Sequence, residues 1–288
     1  MTSSADTLVQ KIAFQGAAGA FSHLACSKAY PKLQALPCAS FVETFDAVES
    51  GAALYAMIPV ENSRAGRVAD IHHLLPERKL FIVREHFQPV AHHLVATHNA
   101  TLGSIRTARS HVQALSQCRN FLLTNGIVPT AHADTAAAAA EIAELNDPTQ
   151  AAIASSLAAR IYNLQTVQSD IQDSQDNTTR FCILSRTPFD GETSGPMVTT
   201  LIFHTRSVPA ALYKAMGGFA TNGVNITKLE SYILDGSFAV AQFYMDFEGC
   251  PGSTSVDLAL EELAFYSHEV KLLGSYPAAP FRQSNSVG

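Results

Sequence analysis

The chain has 288 residues, 47% of them apolar and 15% charged, with a formal net charge of -6. This composition excludes a disordered or fibrous chain, and the length suggests about two domains. The acidic balance argues against nucleic acid, whose backbone calls for a basic face, and no apolar run is long enough to span a bilayer. Five cysteines (Cys26, Cys38, Cys118, Cys182, Cys250) show no CxxC spacing, so they read as reduced thiols of a cytoplasmic protein. Residues 1–9 are polar, carry Asp6 and lack an apolar or Arg-rich segment, so neither a signal nor a transit peptide is expected.

Residues 11–15 predict a short apolar strand, 16–19 a turn and 20–30 an Ala-rich helix. A second helix is expected over 41–49 and a buried strand over 54–60. This rhythm marks a parallel sheet with helices on its faces. Strands follow over 80–83 and 91–96. The βα rhythm restarts near residue 103: strand 105–108, helix 112–123 ended by Asn125-Gly126, strand 127–131, helix 135–144 with Asp134 as N-cap, strand 151–155, helix 157–162 and strand 181–185. Two α/β lobes with a cleft between them are expected.

Residues 187–196 have linker composition, with Pro188, Gly191, Ser194, Gly195 and Pro196. Beyond them come strand 198–205, helix 209–221, strand 225–233, a hairpin turn at Asp235-Gly236, strand 238–247, helix 255–265 and strand 270–276. The order β-α-β-β-α-β is the ferredoxin-like split unit.

Several short motifs carry both a plain and a functional reading. Gly16-x-x-Gly19 lacks the third glycine and the acidic residue of a nucleotide loop. It reads as a plain βα turn, or as one aiming N–H groups and the Ser22 hydroxyl at a carboxylate. Glu61-Asn62-Ser63 suits a capping loop, and Ser110 suits a helix N-cap. If Ser110 and Gln117 share one helix, their i, i+7 spacing puts them on one face. The pairs His72-His73 and His92-His93 do not read as metal sites, because adjacent residues diverge on a helix or strand and no cysteine stands at ligand spacing.

The run Asp176-Asn177-Thr178-Thr179-Arg180-Phe181 sets a hydroxyl, a guanidinium and an aromatic ring before the apolar Cys182-Ile183-Leu184. A strand starting there would hold the hydroxyl rigidly. Upstream, in order, stand Gln15-Gly16-Ala17-Ala18-Gly19-Ala20-Phe21-Ser22, Pro59-Val60-Glu61-Asn62-Ser63, Ser110-His111, Gln117-Cys118 and Asp134-Thr135-Ala136. With these motifs the chain resembles the prephenate dehydratase family over nearly its whole length. Its last third, with Leu229-Glu230-Ser231, resembles an ACT regulatory domain.

The resemblance implies a two-lobed α/β catalytic domain, periplasmic-binding-protein-like, over residues 1–190. Its lobes would be about 1–85 with 175–190, and about 86–174. A ferredoxin-like ACT domain would cover 197–280. It implies decarboxylating dehydration of prephenate to phenylpyruvate in phenylalanine biosynthesis, with no metal or other cofactor. Thr179 would donate the proton, polarised by Arg180 or a helix dipole. Asn62, Ser110 and Gln117, with Glu61 beside them, would position the substrate. Gly19, Ser22, Ser63, Thr135, Thr178 and Phe181 would complete the substrate-binding set. L-Phenylalanine would act as effector near Ala211, Leu212, Asn225, Glu230 and Ser231, between copies of the second domain in a homodimer or homotetramer. There are departures: Ala137 follows Asp134-Thr135-Ala136 where the family has glycine, Ala210 stands in Pro-Gly-Ala-Leu, and Tyr232-Ile233 replaces Arg-Pro. Arogenate dehydratase shares the motifs. A decarboxylase that keeps the ring hydroxyl would not need the intact Thr179-Arg180-Phe181, and a solute or amino-acid sensor would not need the Thr179 hydroxyl.

Overall fold

The computed structural model describes residues 9–193, 195–206, 208–234 and 237–284. The expected Asp235-Gly236 turn, Ser194 of the linker and residues 1–8 of the polar N-terminal stretch lie outside the described residues. In chain order the elements begin with β1 (Lys11–Gln15), α1 (Phe21–Ala29), β2 (Gln34–Cys38), α2 (Phe41–Glu49), β3 (Tyr55–Asn62) and β4 (Gly66–Arg67). Then come α3 (Ala69–Leu74), a 3-10 turn (Leu75–Glu77), β5 (Phe81–Pro89), β6 (His93–Ala96), β7 (Thr107–Ser110), α4 (Val112–Gln117) and α5 (Arg119–Thr124). They continue with β8 (Val128–Ala131), α6 (Thr135–Leu145), β9 (Gln150–Ala154), α7 (Ser156–Ile161), β10 (Gln165–Gln168) and β11 (Thr178–Ser185). The last third holds β12 (Met197–Thr205), α8 (Ala211–Thr221), β13 (Ile226–Leu234), β14 (Ser237–Glu248), α9 (Thr254–Phe265), β15 (Ser267–Pro277) and α10 (Pro280–Ser284). Among the described residues no helix is long and apolar enough to cross a membrane.

The chain divides into two compact units. One holds the residues up to Val68 and His86–Phe181; the other holds Ala69–Glu85 and the residues from Cys182 on. Residues 69–85, read from the sequence as part of the first lobe, thus group with the second unit.

Two sheets carry the strands of the first unit. One is ordered β2-β1-β3-β11-β5, with β4 paired to β3; the other is ordered β10-β6-β9-β7-β8. In the second sheet β7 runs parallel to β8 and β9, while β6 is antiparallel to β9 and β10. Helix α6 fits close to its sheet because its buried face is made of alanines: Ala136, Ala138 and Ala139 are fully buried with Ile142. Asp134 caps this helix, its Oδ1 accepting from Ala136 N at 2.8 Å and Ala137 N at 2.7 Å. That satisfies two of the orphan N–H groups of a helix start.

Three element boundaries bear on the site. Strand β3 runs on through Asn62, past the strand expected over 54–60, and β11 begins at Thr178, ahead of the expected 181–185, so both residues sit on rigid strands. The single helix expected over 112–123 is broken at Cys118, whose φ of -115° leaves α4 and α5 as two short helices.

The second unit follows the predicted split order. Its sheet runs β13-β14-β12-β15, every neighbouring pair antiparallel. One sheet face packs Leu201, Phe203, Met245 and Phe247 against Ala215, Phe219 and Leu263 of α8 and α9. On the other face, the His72 ring stacks on Tyr232 at 4.4 Å, and Lys271 Nζ donates to the carbonyls of Pro76 and Arg78 at 2.6 and 2.8 Å. Glu85, with no exposed side-chain surface, accepts a bidentate pair from Arg282 at 2.6 and 2.9 Å. Ala210 precedes α8 in the left-handed region, φ +58°, the conformation a glycine adopts at no steric cost.

Candidate active site

Strand alternation sorts the motif residues into two groups. Thr179 and Asn62 lie on neighbouring strands β11 and β3, and Asn62 Nδ2 donates to Thr179 Oγ1 at 2.9 Å. The same Nδ2 donates to Asn177 Oδ1 at 2.7 Å, and Asn177 Nδ2 donates to Gln117 Oε1 at 2.7 Å. Gln117 Oε1 also receives His92 Nε2 at 2.8 Å. One chain of hydrogen bonds therefore joins Thr179, Asn62, Asn177, Gln117 and His92, with Phe21 packed edge-on against His92 at 5.4 Å.

Two donors at this chain remain uncommitted. Thr179 Oγ1 accepts from Asn62, and its own proton takes no partner among the described residues. Gln117 Nε2 is likewise without a partner there. Both side chains are half-buried, so a ligand can reach them.

Arg180 and Glu61 follow and precede Thr179 and Asn62 in their strands, so they point to the opposite sheet face. There Arg180 Nη1 donates to Glu61 Oε1 at 3.3 Å, with Arg180 only 2% exposed. The expected polarisation of Thr179 by Arg180 is thus replaced by a donor from Asn62. Phe181 shares the face of Thr179 but is buried in the core. Ser63 ties the two strands together: its hydroxyl donates to Asp176 O at 2.8 Å and accepts from Thr178 N at 3.0 Å. Arg64 pairs with Asp176, and the bonds from Arg64 and Ser174 hold that carboxyl down to about 2.

Ser110 is not the expected N-cap. It ends β7, is fully buried, and donates to Ile153 O at 2.6 Å; His111 caps α4 through its ring nitrogen instead. The shared helical face expected for Ser110 and Gln117 therefore does not exist. Cys118 is buried, and burial together with the nearby Asp173 charge pushes its thiol up to about 12, which leaves no thiolate for chemistry.

The glycine loop is committed to packing. Its N–H groups at Gly16, Gly19 and Ala20 go to Cys38 O, His23 Nδ1 and Ala17 O. Ser155 Oγ donates to Gly19 O at 2.6 Å, and Tyr162 OH donates to Ala18 O at 2.8 Å. Gly19 has φ +94° and lies against α7, where a Cβ would come within 2.7 Å of Ala158 Cα. Ser22 sits half-buried in the first turn of α1, and Thr135 is the half-buried first residue of α6.

In the second unit, Ala211 and Leu212 open α8, Ala211 buried and Leu212 packed on the helix-side core, and Asn225 O accepts from Glu248 N at 2.9 Å. Ser231 pairs across from Phe243 on that same face, whereas Glu230 pairs across from Tyr244 on the other. Glu230 is also already engaged. Burial works against its ionisation, but bonds from Lys228 and Tyr232 hold its carboxyl below the ordinary value. The expected grouping of Glu230 with Ala211 and Leu212 is not formed.

Two residues of the site carry no role in the sequence reading. Asn177 lies two residues before Thr179-Arg180-Phe181; a buried amide beside a strand start must find partners, which is the signal that marks it. His92 reads from the sequence only as half of a rejected metal pair, because nothing in the chain order announces Gln117 as its partner.

The prephenate dehydratase family pattern matches residues 12–188. The chain belongs to this family. It is 48% identical over 273 residues to a bifunctional N-acyl-homoserine lactone acylase/prephenate dehydratase of Komagataeibacter europaeus, covering 94% of this chain and 97% of that one. It is 39% identical to the chloroplastic arogenate dehydratase/prephenate dehydratase 2 of Arabidopsis thaliana, covering 93% of this chain and 72% of the relative. Prephenate dehydratase from Arthrobacter aurescens, solved in complex with L-Phe, superposes with a TM-score of 0.85 at 30% identity, covering 93% of this chain and 90% of the other.

Proposed function

We propose that the protein converts prephenate to phenylpyruvate, water and carbon dioxide. The carrying observation is the Thr179 hydroxyl, held from behind by Asn62 Nδ2 with its own proton uncommitted. In the reaction the bond between the ring and its carboxylate breaks, and that electron pair aromatises the ring. The bond from the ring to its hydroxyl breaks in concert. The departing oxygen takes a proton and leaves as water, and one proton is drawn from solvent overall. A threonine hydroxyl is a weak acid, so Thr179 acts by donating a strong hydrogen bond to the leaving oxygen. Asn62 stabilises the charge that builds on Thr179 Oγ1, as a preorganised donor does for a developing oxyanion. Gln117 Nε2 supplies a second donor that fixes the substrate. The balance of the reaction calls for no metal, nucleophile or redox group.

Arogenate is the alternative substrate, since relatives named for both activities match over 93% of this chain. Hydrolysis of N-acyl-homoserine lactones is a second reading, favoured by the 48% identical relative that bears both names. The deciding experiment supplies purified, chelator-treated protein with prephenate, arogenate and an N-acyl-homoserine lactone in parallel. Phenylpyruvate from prephenate is the expected main product. Turnover of neither cyclohexadiene, or turnover only with added metal, refutes the proposal.

The proposal extends to the second unit as an ACT module that binds L-phenylalanine, with the chain working in the cytoplasm as a homodimer or homotetramer. What supports it is the split β-α-β-β-α-β unit and the L-Phe complex of the Arthrobacter aurescens relative. Ala211, Leu212, Asn225 and Ser231 remain the residues proposed for the ligand. Glu230, already bound by Lys228 and Tyr232, holds β13 instead.

A further inference from the structure

Two backbone N–H groups set the direction of the whole hydrogen-bond chain in the site. Arg64 N and Ala65 N can only donate, and both point at one Asn62 atom, at 2.9 and 2.8 Å. That atom is therefore Oδ1, and the other end of the amide carries the two hydrogens. From there every link follows. Asn62 Nδ2 donates to Asn177 Oδ1, so Asn177 has only Nδ2 left to give to Gln117, and the Gln117 atom it meets is Oε1. The remaining neighbour of Gln117 Oε1 is His92 Nε2 at 2.8 Å, which must carry its hydrogen to bond there. The other ring nitrogen, His92 Nδ1, is buried and has no partner among the described residues. A hydrogen on it would be an orphaned donor, so the ring is the neutral Nε2–H form. The side chain is 3% exposed, and its burial lowers the pKa against the opposing bond to Gln117.

We propose that His92 is a positioning residue for the dehydration: it locks the Gln117 amide with Nε2 as the outward donor and closes the chain that keeps Asn62 on Thr179. This rests on the dehydratase reading of the same site. Gln117 Oε1 is held by two donors at once, so a half-turn of its amide would set Nε2 against both the His92 and the Asn177 hydrogens. Without His92, only Asn177 opposes that turn. A freed Gln117 offers its oxygen to the substrate as readily as its nitrogen, and a rotated Gln117 breaks the bond from Asn177. Asn177 then no longer holds Asn62 in one orientation.

The test uses the full chain with two variants. His92→Gln carries an amide nitrogen near the place of Nε2, and His92→Leu fills the space without a donor. At saturating prephenate, His92→Leu is expected to lose roughly tenfold or more in kcat, in line with one lost buried hydrogen bond. Its KM should move less than about threefold, and His92→Gln should recover most of the rate. The 15N resonances of the unaltered imidazole should report hydrogen on Nε2 and none on Nδ1. A His92→Leu rate within about twofold of the unaltered protein, equal losses in both variants, or hydrogen on Nδ1 overturns the inference. If the unaltered protein turns over neither prephenate nor arogenate, the dehydratase reading fails first, and the 15N result still decides the tautomer.

Discussion

Thr179→Val is expected to lower kcat for prephenate by roughly 10²–10⁴, the span of a group that assists proton transfer to a leaving oxygen in the transition state. Valine keeps the branched shape and the strand preference, so β11 should form unchanged. What is lost is a hydroxyl whose proton faces no protein acceptor among the described residues while Asn62 Nδ2 holds its oxygen at 2.9 Å. KM should move little, because in the proposed site Gln117 Nε2 also holds the substrate. A loss confined to KM would make Thr179 a binding group with no part in hydroxyl departure. Steady-state kinetics at several prephenate concentrations separates the two outcomes.

The second large effect is structural. Gly19→Val is expected to destabilise the first unit by about 3 kcal/mol or more, since it combines a forced positive φ with overpacking against backbone. At φ +94° a β-branched residue is strained in any surroundings, and the new Cβ would lie 2.7 Å from Ala158 Cα and 2.9 Å from its Cβ. Helix α7 cannot retreat easily, because Ser155 and Tyr162 at its ends both donate to the loop carbonyls. Thermal unfolding should show a drop on the order of 6–12 °C. Gly103→Ala, with no atom near the added methyl, is the control and should leave the midpoint almost unmoved. Equal midpoints for Gly19→Val and Gly103→Ala would mean that the glycine loop does not dock on α7 in solution.

The fold was legible where one signal ruled. The alanine run behind Asp134 could only be a capped helix packed closely on a sheet, and the alternating strands of the last third gave the split unit in the right order. It was less legible where polar residues end a strand. Asn62 and Thr179 fall outside the apolar runs expected as strands over 54–60 and 181–185, yet β3 and β11 extend through them. That extension is what places Arg180 and Glu61 on the far sheet face, a consequence of period-two alternation that a loop assignment hides. Strand β2 escaped notice because Pro37 breaks its pattern, and an edge strand tolerates a proline.

Of the candidate site, the sequence offered residues, and their arrangement was only partly legible. Asn62, Gln117 and Thr179 are where the motifs put them, and the structure links them. Ser110 and Glu230 could not be resolved from sequence. Their partners, the Ile153 carbonyl in one case and Lys228 with Tyr232 in the other, are set by packing and strand register. The role of His92 depends on a contact across 25 positions of chain, which no local pattern encodes.

The central claim is that Asn62 and Thr179 act as one unit at the departing hydroxyl, and a double-mutant cycle on kcat tests it most directly. Asn62→Ala, Thr179→Val and the double variant are each compared with the unaltered protein at saturating prephenate, with folding checked by thermal unfolding. The double variant is expected to be about as slow as Thr179→Val alone, because Asn62 has no oxygen charge to stabilise once the hydroxyl is gone. Losses that simply multiply would contradict the claim and leave the two residues working independently.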